Sequence, residues 1–322
     1  MNEQPYHSLT PEAVLAALDS AGFRTDGRLH ALASYENRVY QVGIEDAAPV
    51  VAKFYRPARW TDEQIQEEHD FVHELVQHEL PCVPPIRSPH GETLLRHASF
   101  RFAVFPRQGG HAPNLEVPDH LTMLGRTLGR IHAVGRSRAF EHRPRLDAVR
   151  LGHESRAYIL EHDFVPDEIR EAYRTVSEHL VARIDPLTIP QRGRIHGDCH
   201  PGNVLWRDEA PHFVDFDDAV TGPPVQDLWM LLSGERHEQA LQLGDLLEGY
   251  EQFLAFDESE VALIEALRTL RIMHHAAWIA RRWHDPAFPR AFPWFNTMKY
   301  WSEHVLHLRE QLAALDEPPL RY

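Results

Sequence analysis

His196-Gly197-Asp198-Cys199-His200-Pro201-Gly202-Asn203-Val204-Leu205-Trp206 and, shortly after it, Phe213-Val214-Asp215-Phe216-Asp217-Asp218 decide how the chain is read. Between them, Val204-Leu205-Trp206 and His212-Phe213-Val214 are apolar runs separated by the turn-like Arg207-Asp208-Glu209-Ala210-Pro211, so the segment reads as a β-hairpin. Partners across an antiparallel pair have numbers that sum to a constant. If Trp206 pairs with His212 and Val204 with Val214, then Asn203 faces Asp215, with Cα atoms about 4.5–5.5 Å apart. An amide and a carboxylate then meet at the open end of the hairpin. Both offer the hard oxygen that Mg2+ takes while keeping several waters.

Asp198 and Asn203 also have the H-x-D-x-x-x-x-N spacing of a kinase catalytic loop. Phosphoryl transfer explains the spacing: one carboxylate orients the attacking hydroxyl and takes its proton, an amide holds Mg2+ nearby, and a second carboxylate holds the same ion. Asp198 is thus the expected base, with Asn203 and Asp215 on the metal. Upstream, Pro49–Tyr55 reads as an apolar strand with one lysine, Lys53. Such a lysine ordinarily snorkels to the edge; in a phosphoryl-transfer site it reaches the α/β-phosphates and pairs with a helix carboxylate. The helix follows at once. Thr61-Asp62-Glu63-Gln64 is a capping box, and Ile65, Phe71, Val72, Leu75 and Val76 form its apolar stripe. Glu68 is centred on that stripe and Glu67 sits at its margin. A carboxylate among apolar residues needs a partner, and Lys53 is the natural one.

The loop resembles the H-G-D-x-H-x-G-N-x-L signature of the aminoglycoside phosphotransferase and choline kinase-like branch of the protein-kinase-like superfamily. The chain is more similar still to the bacterial stress response kinase A family, which carries S-Y-E-N-R-V-Y, V-K-F-Y-R-P, H-G-D-C-H-x-G-N, V-Q-D-L-W-M-L-L and R-R-W-x-D-P-A-F-P. These stand here at Ser34–Tyr40, Ala52–Pro57 (with alanine first), His196–Asn203, Val225–Leu232 and Arg281–Pro289. The resemblance runs almost end to end. It implies that Ser34 and the following amides contact the nucleotide, that Asp227 braces the catalytic loop, and that the acceptor is a serine or threonine of a protein. One departure from kinases in general stands out. Their phosphate-covering turn is rich in glycine, and Ser34–Val39 has none. Without the resemblance, this turn is a polar hairpin loop.

The 322 residues suffice for a large core and two lobes, and 43% hydrophobic content is that of a globular protein. No apolar run is long enough to span a bilayer, and Met1–His7 lacks the regions of a signal peptide. Two cysteines fit a reducing cytoplasm, where the protein is expected. A net charge of −15 argues against nucleic acid as a partner. The 23 histidines raise the question of a metal cluster, but no H-E-x-x-H or Cys/His ligand spacing is present. Cys199, between Asp198 and His200, has carboxylates nearby that would raise its pKa, so it reads as a small residue that fits the loop rather than a reactive thiol.

Elsewhere, Thr10-Pro11-Glu12 opens a helix running to Gly22. Leu29–Ser34 and Arg38–Ile44 read as strands around Tyr35-Glu36-Asn37, and Glu92–Leu95 and Phe100–Phe105 as two more. Pro106–Gly110 then breaks the pattern as a hinge, with backbone near Phe105 for adenine. Asp119 is the expected cap of a helix bearing Leu121, Leu124, Leu128 and Ile131, with His132 as a packed histidine. Another helix covers roughly 166–183, and Pro223-Pro224 opens one carrying Asp227. Near the C-terminus, Arg281, Arg282, Arg290 and Lys299 lie among Trp283, Trp294 and Trp301, a local charge unsuited to a polycationic acceptor.

These readings combine into an α+β, two-lobed protein-kinase-like fold: a small antiparallel-sheet lobe with one key helix over residues 1–107, and a mainly helical lobe over 108–322 bearing the catalytic loop, metal ligands and acceptor site. The expected activity is ATP- and Mg2+-dependent phosphotransfer by a monomer to a protein hydroxyl, its own included, in a stress-response role. A small-molecule kinase acting on an aminoglycoside, choline or homoserine-like alcohol uses the same catalytic parts and stays open. A non-catalytic nucleotide-binding scaffold is opposed by the joint presence of Lys53, Glu68, Asp198, Asn203 and Asp215.

Overall fold

The computed structural model describes residues 5–322. Helix α1 (Pro11–Ser20) starts where Thr10 Oγ1 accepts from Ala13 N, with proline in its first turn. Strands β1 (Thr25–Ala31), β2 (Arg38–Ile44) and β3 (Val50–Phe54), helix α2 (Asp62–Gln77), and strands β4 (Leu95–His97) and β5 (Phe100–Pro106) follow. The strands form one antiparallel sheet in the order β1-β2-β3-β5-β4. Period-two alternation divides β3. Ala52 and Phe54 join Val14, Leu18, Val42, Phe102 and Val104 in the core between sheet and α1, while Val51 and Lys53 line a cleft.

Helix α2 has both bonds of its capping box: Thr61 Oγ1 accepts from Gln64 N and Gln64 Oε1 accepts from Thr61 N. Its apolar face serves two bodies. Ile65 packs with Tyr55 and Ala103 of the sheet, whereas Phe71, Val72 and Leu75 enter the core of the helical part with Leu128, Ile131, Ile195, Phe213 and Phe216. The helix thus ties the strand that carries Lys53 to the loops that carry the other site residues. Val76, expected on the same stripe, is exposed at the helix's last turn.

The remainder comprises α3 (Pro118–Gly135), α4 (Glu154–Glu161), α5 (Asp167–Ile184), β6 (Gly193–Ile195), β7 (Val204–Arg207), β8 (Ala210–Phe213), β9 (Val220–Gly222), α6 (Val225–Trp229), α7 (Arg236–Tyr250), α8 (Ile264–Arg281), α9 (Ala287–Ala291) and α10 (Met298–Ala314). Helices α3 and α7 cross in close contact. A Cβ on Gly125 or Gly249 would overlap the carbonyl of Leu246 or Thr122 in the facing helix, so only glycine allows this approach. No helix of the described residues is long and apolar enough to cross a membrane.

Several boundaries differ from the sequence expectation, each for a local reason. Strand β1 begins at Thr25 rather than Leu29, because Gly27 (φ 84°) lets the chain pass through a bulge and keep pairing. It ends at Ala31, short of Ser34. The fourth strand is Leu95–His97 instead of Glu92–Leu95, since Ala98, at φ 50°, turns the chain so that His97 pairs with Phe100. Asp119 does not cap α3: Val117 is the N-cap, without a side-chain bond, and Pro118 at the first position sets the start.

The most consequential correction is the register of the β7–β8 hairpin. Val204 pairs with Phe213, Leu205 with His212, Trp206 with Pro211 and Arg207 with Ala210. The turn is only Asp208-Glu209, both with positive φ (50° and 59°), as a two-residue hairpin of I′ character requires. The five-residue loop expected from the sequence placed the pairing one residue out. Asn203 therefore opposes Val214, whose N–H donates to Asn203 O at 3.0 Å. Asp215 is the residue beyond, and its own left-handed backbone (φ 59°, ψ 62°) turns the chain away from the strand.

Candidate active site

A cleft of about 1060 Å3 lies between the sheet and the helical part. Ser34, Lys53, Glu68, Asp198, Asn203 and Asp215, the six site residues expected from the sequence, all line it. One end is apolar, with Val39, Val51, Val83, Pro85, Phe105 and Leu205; the other is framed by α8.

The loop at Asp198 is held from beneath. The Asp227 carboxylate accepts from His196 N and Gly197 N, both at 2.8 Å, and from His132 Nε2 at 2.9 Å; His132 in turn meets Tyr250 OH at 3.0 Å. Asp227 and His132 are fully buried, so charge-assisted bonds replace the water that Asp227 gives up. His196 Nε2 donates to Val214 O at 2.9 Å, which fixes Nδ1 as the acceptor of Asp198 N at 3.3 Å. One histidine thereby ties the loop to the strand preceding Asp215. Gly197 has φ 83°, and a Cβ there would overlap Asp218 O, so the position admits no side chain.

Asn203 Nδ2 donates to Asp198 O at 2.9 Å. Its Oδ1 has no donor among the described residues. The Asp215 carboxylate is 53% exposed and accepts from Lys53 Nζ at 2.8 Å. Lys53 also lies 3.1 Å from Asp217 Oδ1 and 3.6 Å from Glu68 Oε1. Burial works against the lysine's charge, but Asp215, Asp217 and Glu68 together hold its pKa well above the ordinary value. The expected Lys53–Glu68 pair is thus present but loose, because the two aspartates draw the ammonium away. Burial accordingly pushes the Glu68 carboxyl up to about 7, with Lys53 opposing.

Four further residues were not foreseen. Arg143, buried, reaches Gln64 O (2.9 Å), Ala219 O (2.6 Å) and Asp217 O (2.5 Å), and lies 3.7 Å from Glu68. It fastens α2 to the segment carrying Asp215. Arg59 pairs with Asp217 and with Asp218, the latter at 2.6 Å. Burial would raise the Asp217 pKa, but Arg59, Lys53 and Arg143 hold it well below the carboxylate range. Asn37 Nδ2 donates to Asp217 Oδ2 at 3.1 Å. Arg271, on α8, forms an ion pair with Asp198 Oδ1. Of these, Asn37 stands inside the Ser34–Tyr40 motif and Arg59 two residues past the strand motif; Arg143 and Arg271 meet the site through folding alone.

Ser34 Oγ donates to Asn37 O at 3.2 Å and closes the β1–β2 turn. Of the four cations expected at an acceptor face, Arg281 and Arg282 line the cleft, but Arg290 and Lys299 do not. Lys299 is exposed near Glu303, and Trp301 is core. Arg290 lies on α9, and Lys299 and Trp301 on α10. Cys199 is buried, and burial, then Asp227 and Asp198, push its thiol pKa well up.

The donor set suits a hard divalent cation shared with phosphates. Asn203 Oδ1, with no donor among the described residues, and the exposed Asp215 carboxylate are two oxygens that would hold such an ion. Among the described residues no group of three His, Cys, Asp or Glu forms a protein-only metal cage, and Mg2+ in nucleotide sites takes one or two protein ligands with phosphates and waters completing its shell.

A family model described as "Phosphotransferase enzyme family" matches residues 28–264. Over 321 residues, 98% of this chain and 96% of the relative, the chain is 44% identical to stress response kinase A of Escherichia coli. It is 42% identical, over 99% of this chain and 98% of the relative, to a Salmonella typhimurium protein named serine/threonine protein kinase RdoA. Among solved structures, amicoumacin kinase hAmiN, in complex with AMP-PNP, Ca2+ and Ami, superposes with a TM-score of 0.73 at 19% identity, covering 98% of this chain and 97% of that one. A microcompartment-associated aminopropanol kinase gives 0.72 at 16% identity, covering 96% and 99%. These similarities bear out the kinase-like α+β fold expected from the sequence.

Proposed function

The chain belongs to the phosphotransferase enzyme family and within it to the stress response kinase A group, and from that premise we propose that it transfers the γ-phosphoryl group of ATP to a serine or threonine hydroxyl of a protein, in a stress-response role. The observation that carries the reading is the convergence of Asp198, Asn203, Asp215, Lys53 and Glu68 on one cleft. The name of the Salmonella relative supports the protein acceptor.

In this reading the apolar end of the cleft takes the adenine, with backbone near Phe105, and Ser34 with the turn amides faces the phosphates. Lys53 would bind phosphate oxygens. Asn203 and Asp215 would hold Mg2+, which would supply charge neutralisation at the phosphates. Asp198 accepts the proton of the acceptor hydroxyl as its oxygen attacks phosphorus in line and the bond to the ADP oxygen breaks. Residues 1–107 then act as the nucleotide lobe and 108–322 as the catalytic and acceptor lobe.

A second reading, a small-molecule alcohol kinase, uses the same catalytic parts, and the solved neighbours are named as kinases of amicoumacin and aminopropanol. At these identities they speak to fold alone. The test is incubation of the purified protein with γ-labelled ATP and Mg2+, alone, with protein acceptors, and with a panel of aminoglycosides and amino alcohols. Label on serine or threonine supports the proposal. Turnover of one small alcohol without protein labelling moves the assignment to the second reading.

A further inference from the structure

Helix α8 presents Arg271, His274, His275, Trp278, Arg281 and Arg282 to the cleft. Their spacing of three and four residues puts them on one helical face. His274 and His275 carry no charge near neutrality: burial holds their pKa values down to about 3 and about 4. The charge of the face therefore comes from its arginines.

Each carboxylate near this end is already matched. Asp198 carries Arg271, and Asp218 carries Arg59. Glu36 carries Arg282 at 2.6 Å and Arg56 at 2.9 Å. Two cleft-lining guanidiniums are left without a carboxylate within ion-pair distance among the described residues. Arg281 meets only the Glu154 carbonyl, at 3.1 Å, and the face of Tyr158. Arg150 is more unusual. It stands in a π-helical turn, Val149–His153, a conformation that recurs at functional sites. Its buried Nε has no hydrogen-bond partner among the described residues. Burial lowers its pKa, an effect that Asp218, Asp147 and Glu154 offset only in part. A desolvated cation is costly unless something pairs with it, and Arg150 lines the cleft, where an entering anion would reach it. The cleft as a whole is balanced, with six Lys or Arg against six Asp or Glu in its lining, so these two unpaired guanidiniums mark its α8 end alone.

We propose that Arg150, Arg271 and Arg281 form an anion-binding face for the acceptor, so that the preferred substrate hydroxyl is a serine or threonine set among acidic side chains. The protein acceptor rests on the function proposed above; the anionic chemistry rests on the arginines. Arg271 gives the face a catalytic consequence. Its guanidinium occupies Asp198 Oδ1, an oxygen the incoming hydroxyl needs. A carboxylate of the acceptor draws Arg271 away from Asp198 and frees that oxygen at the moment the hydroxyl arrives. A neutral or cationic acceptor leaves the pair closed.

The experiment uses the full-length protein, ATP and Mg2+, and three peptides of equal length in which the serine is flanked by glutamate, alanine or lysine. Wild type is expected to favour the glutamate peptide over the alanine peptide by about ten- to a hundredfold in kcat/KM, the range for one charge-assisted contact, with the lysine peptide poorest. Arg281→Glu should cut or invert that order while leaving KM for ATP unchanged; Arg150→Gln should reduce it in the same direction. A wild-type preference for the alanine or lysine peptide overturns the proposal. So does an Arg150→Gln variant whose defect lies in KM for ATP with peptide preference intact, since Arg150 would then serve the nucleotide. If no peptide is labelled, carboxylated and aminated small alcohols are compared. Turnover of the carboxylated ones keeps the anion face and removes the protein acceptor; turnover of the aminated ones overturns the face itself.

Discussion

Glu36, at the tip of the β1–β2 turn, lies 2.6 Å from the Arg282 guanidinium at the end of α8. The turn that covers phosphates in kinases usually owes its close approach to glycine; here it has none and is pinned instead. Trp278 Nε1 donates to Glu36 at 2.5 Å, and Arg56 approaches it at 2.9 Å. The Tyr35 ring packs on Phe292 with centroids 4.9 Å apart. Arg56 and Arg38 continue the contact to Asp285, at 2.5 and 3.4 Å. Two motifs far apart in the chain, Ser34–Tyr40 and Arg281–Pro289, are therefore one structural joint across the cleft.

Glu36→Ala should cost about 3–5 kcal/mol, because it leaves Arg282 without a carboxylate, and Arg56 with Asp285 alone, in a site where the Glu36 side chain is only 10% exposed. Urea unfolding measures it. A loss below about 1 kcal/mol, the range of an exposed pair, would show that the joint is not tight in solution.

Asp198→Asn should keep the fold and nucleotide binding and lose about 10²–10⁴-fold in phosphotransfer, the usual contribution of a general base. Nucleotide affinity is read by titration and turnover by label transfer. Near wild-type turnover removes Asp198 from its proposed role.

Asp227→Asn should lower both stability and kcat. The carboxylate accepts from two backbone N–H groups and from His132; an amide can present one oxygen and sets an NH2 against the remaining donors. Bonds to a charged group contribute about 1.5–3 kcal/mol each. As Asp227 positions the loop without touching substrate, kcat should fall while KM for ATP stays near its wild-type value. Equal kcat with reduced stability would make the residue purely structural.

The parts of the site carried by short-range pattern were legible in the sequence. Lys53 sits in an apolar strand, Glu68 in the middle of a helical stripe, and Asp198 and Asn203 at a fixed loop spacing, and all face the cleft. The hairpin register was not legible, because its turn is Asp208-Glu209 rather than the Asn-Gly or Asp-Gly that announces positive φ. Arg143 and Arg271 were missed for another reason. Each lies more than 70 residues from the carboxylate it meets, Glu68 or Asp198, and no periodicity links positions so far apart. The division at residue 107 followed the change from strand to helix, whereas α2 packs its apolar face into both bodies.

Cys199→Ala and Cys82→Ala should retain activity in reducing and mildly oxidising buffer alike. Both thiols are buried, and burial raises their pKa values, so little thiolate is exposed to an oxidant. Inhibition by peroxide that disappears in Cys199→Ala would reveal a switch at this position.

The last prediction concerns pH and Glu68. Its carboxyl, buried at 3.6 Å from Lys53 and 3.7 Å from Arg143, has Oε2 without a hydrogen bond, and burial pushes its pKa to about 7 from 4.5. The folded protein holds this proton more tightly than the unfolded chain, so between pH 4.5 and about 7 the folded state binds more protons and loses stability as pH rises. The contribution is fully present below the unfolded pKa and gone above the folded one. Glu68→Gln removes the titration. In the nucleotide-free protein the substitution should therefore cost more stability at pH 5 than at pH 8, where the wild type carries an ionised, poorly paired carboxylate and the variant does not. Lys53 keeps Asp215 and Asp217 as partners in either case, so the variant should fold. Denaturant unfolding of both proteins across pH 5 to 8 reads the difference directly. The opposite ordering, with Glu68→Gln more damaging at pH 8, would mean that Glu68 is held ionised by a tight Lys53 pair, as the sequence alone had suggested, and that the pull of Asp215 and Asp217 on the lysine is weaker than the distances imply.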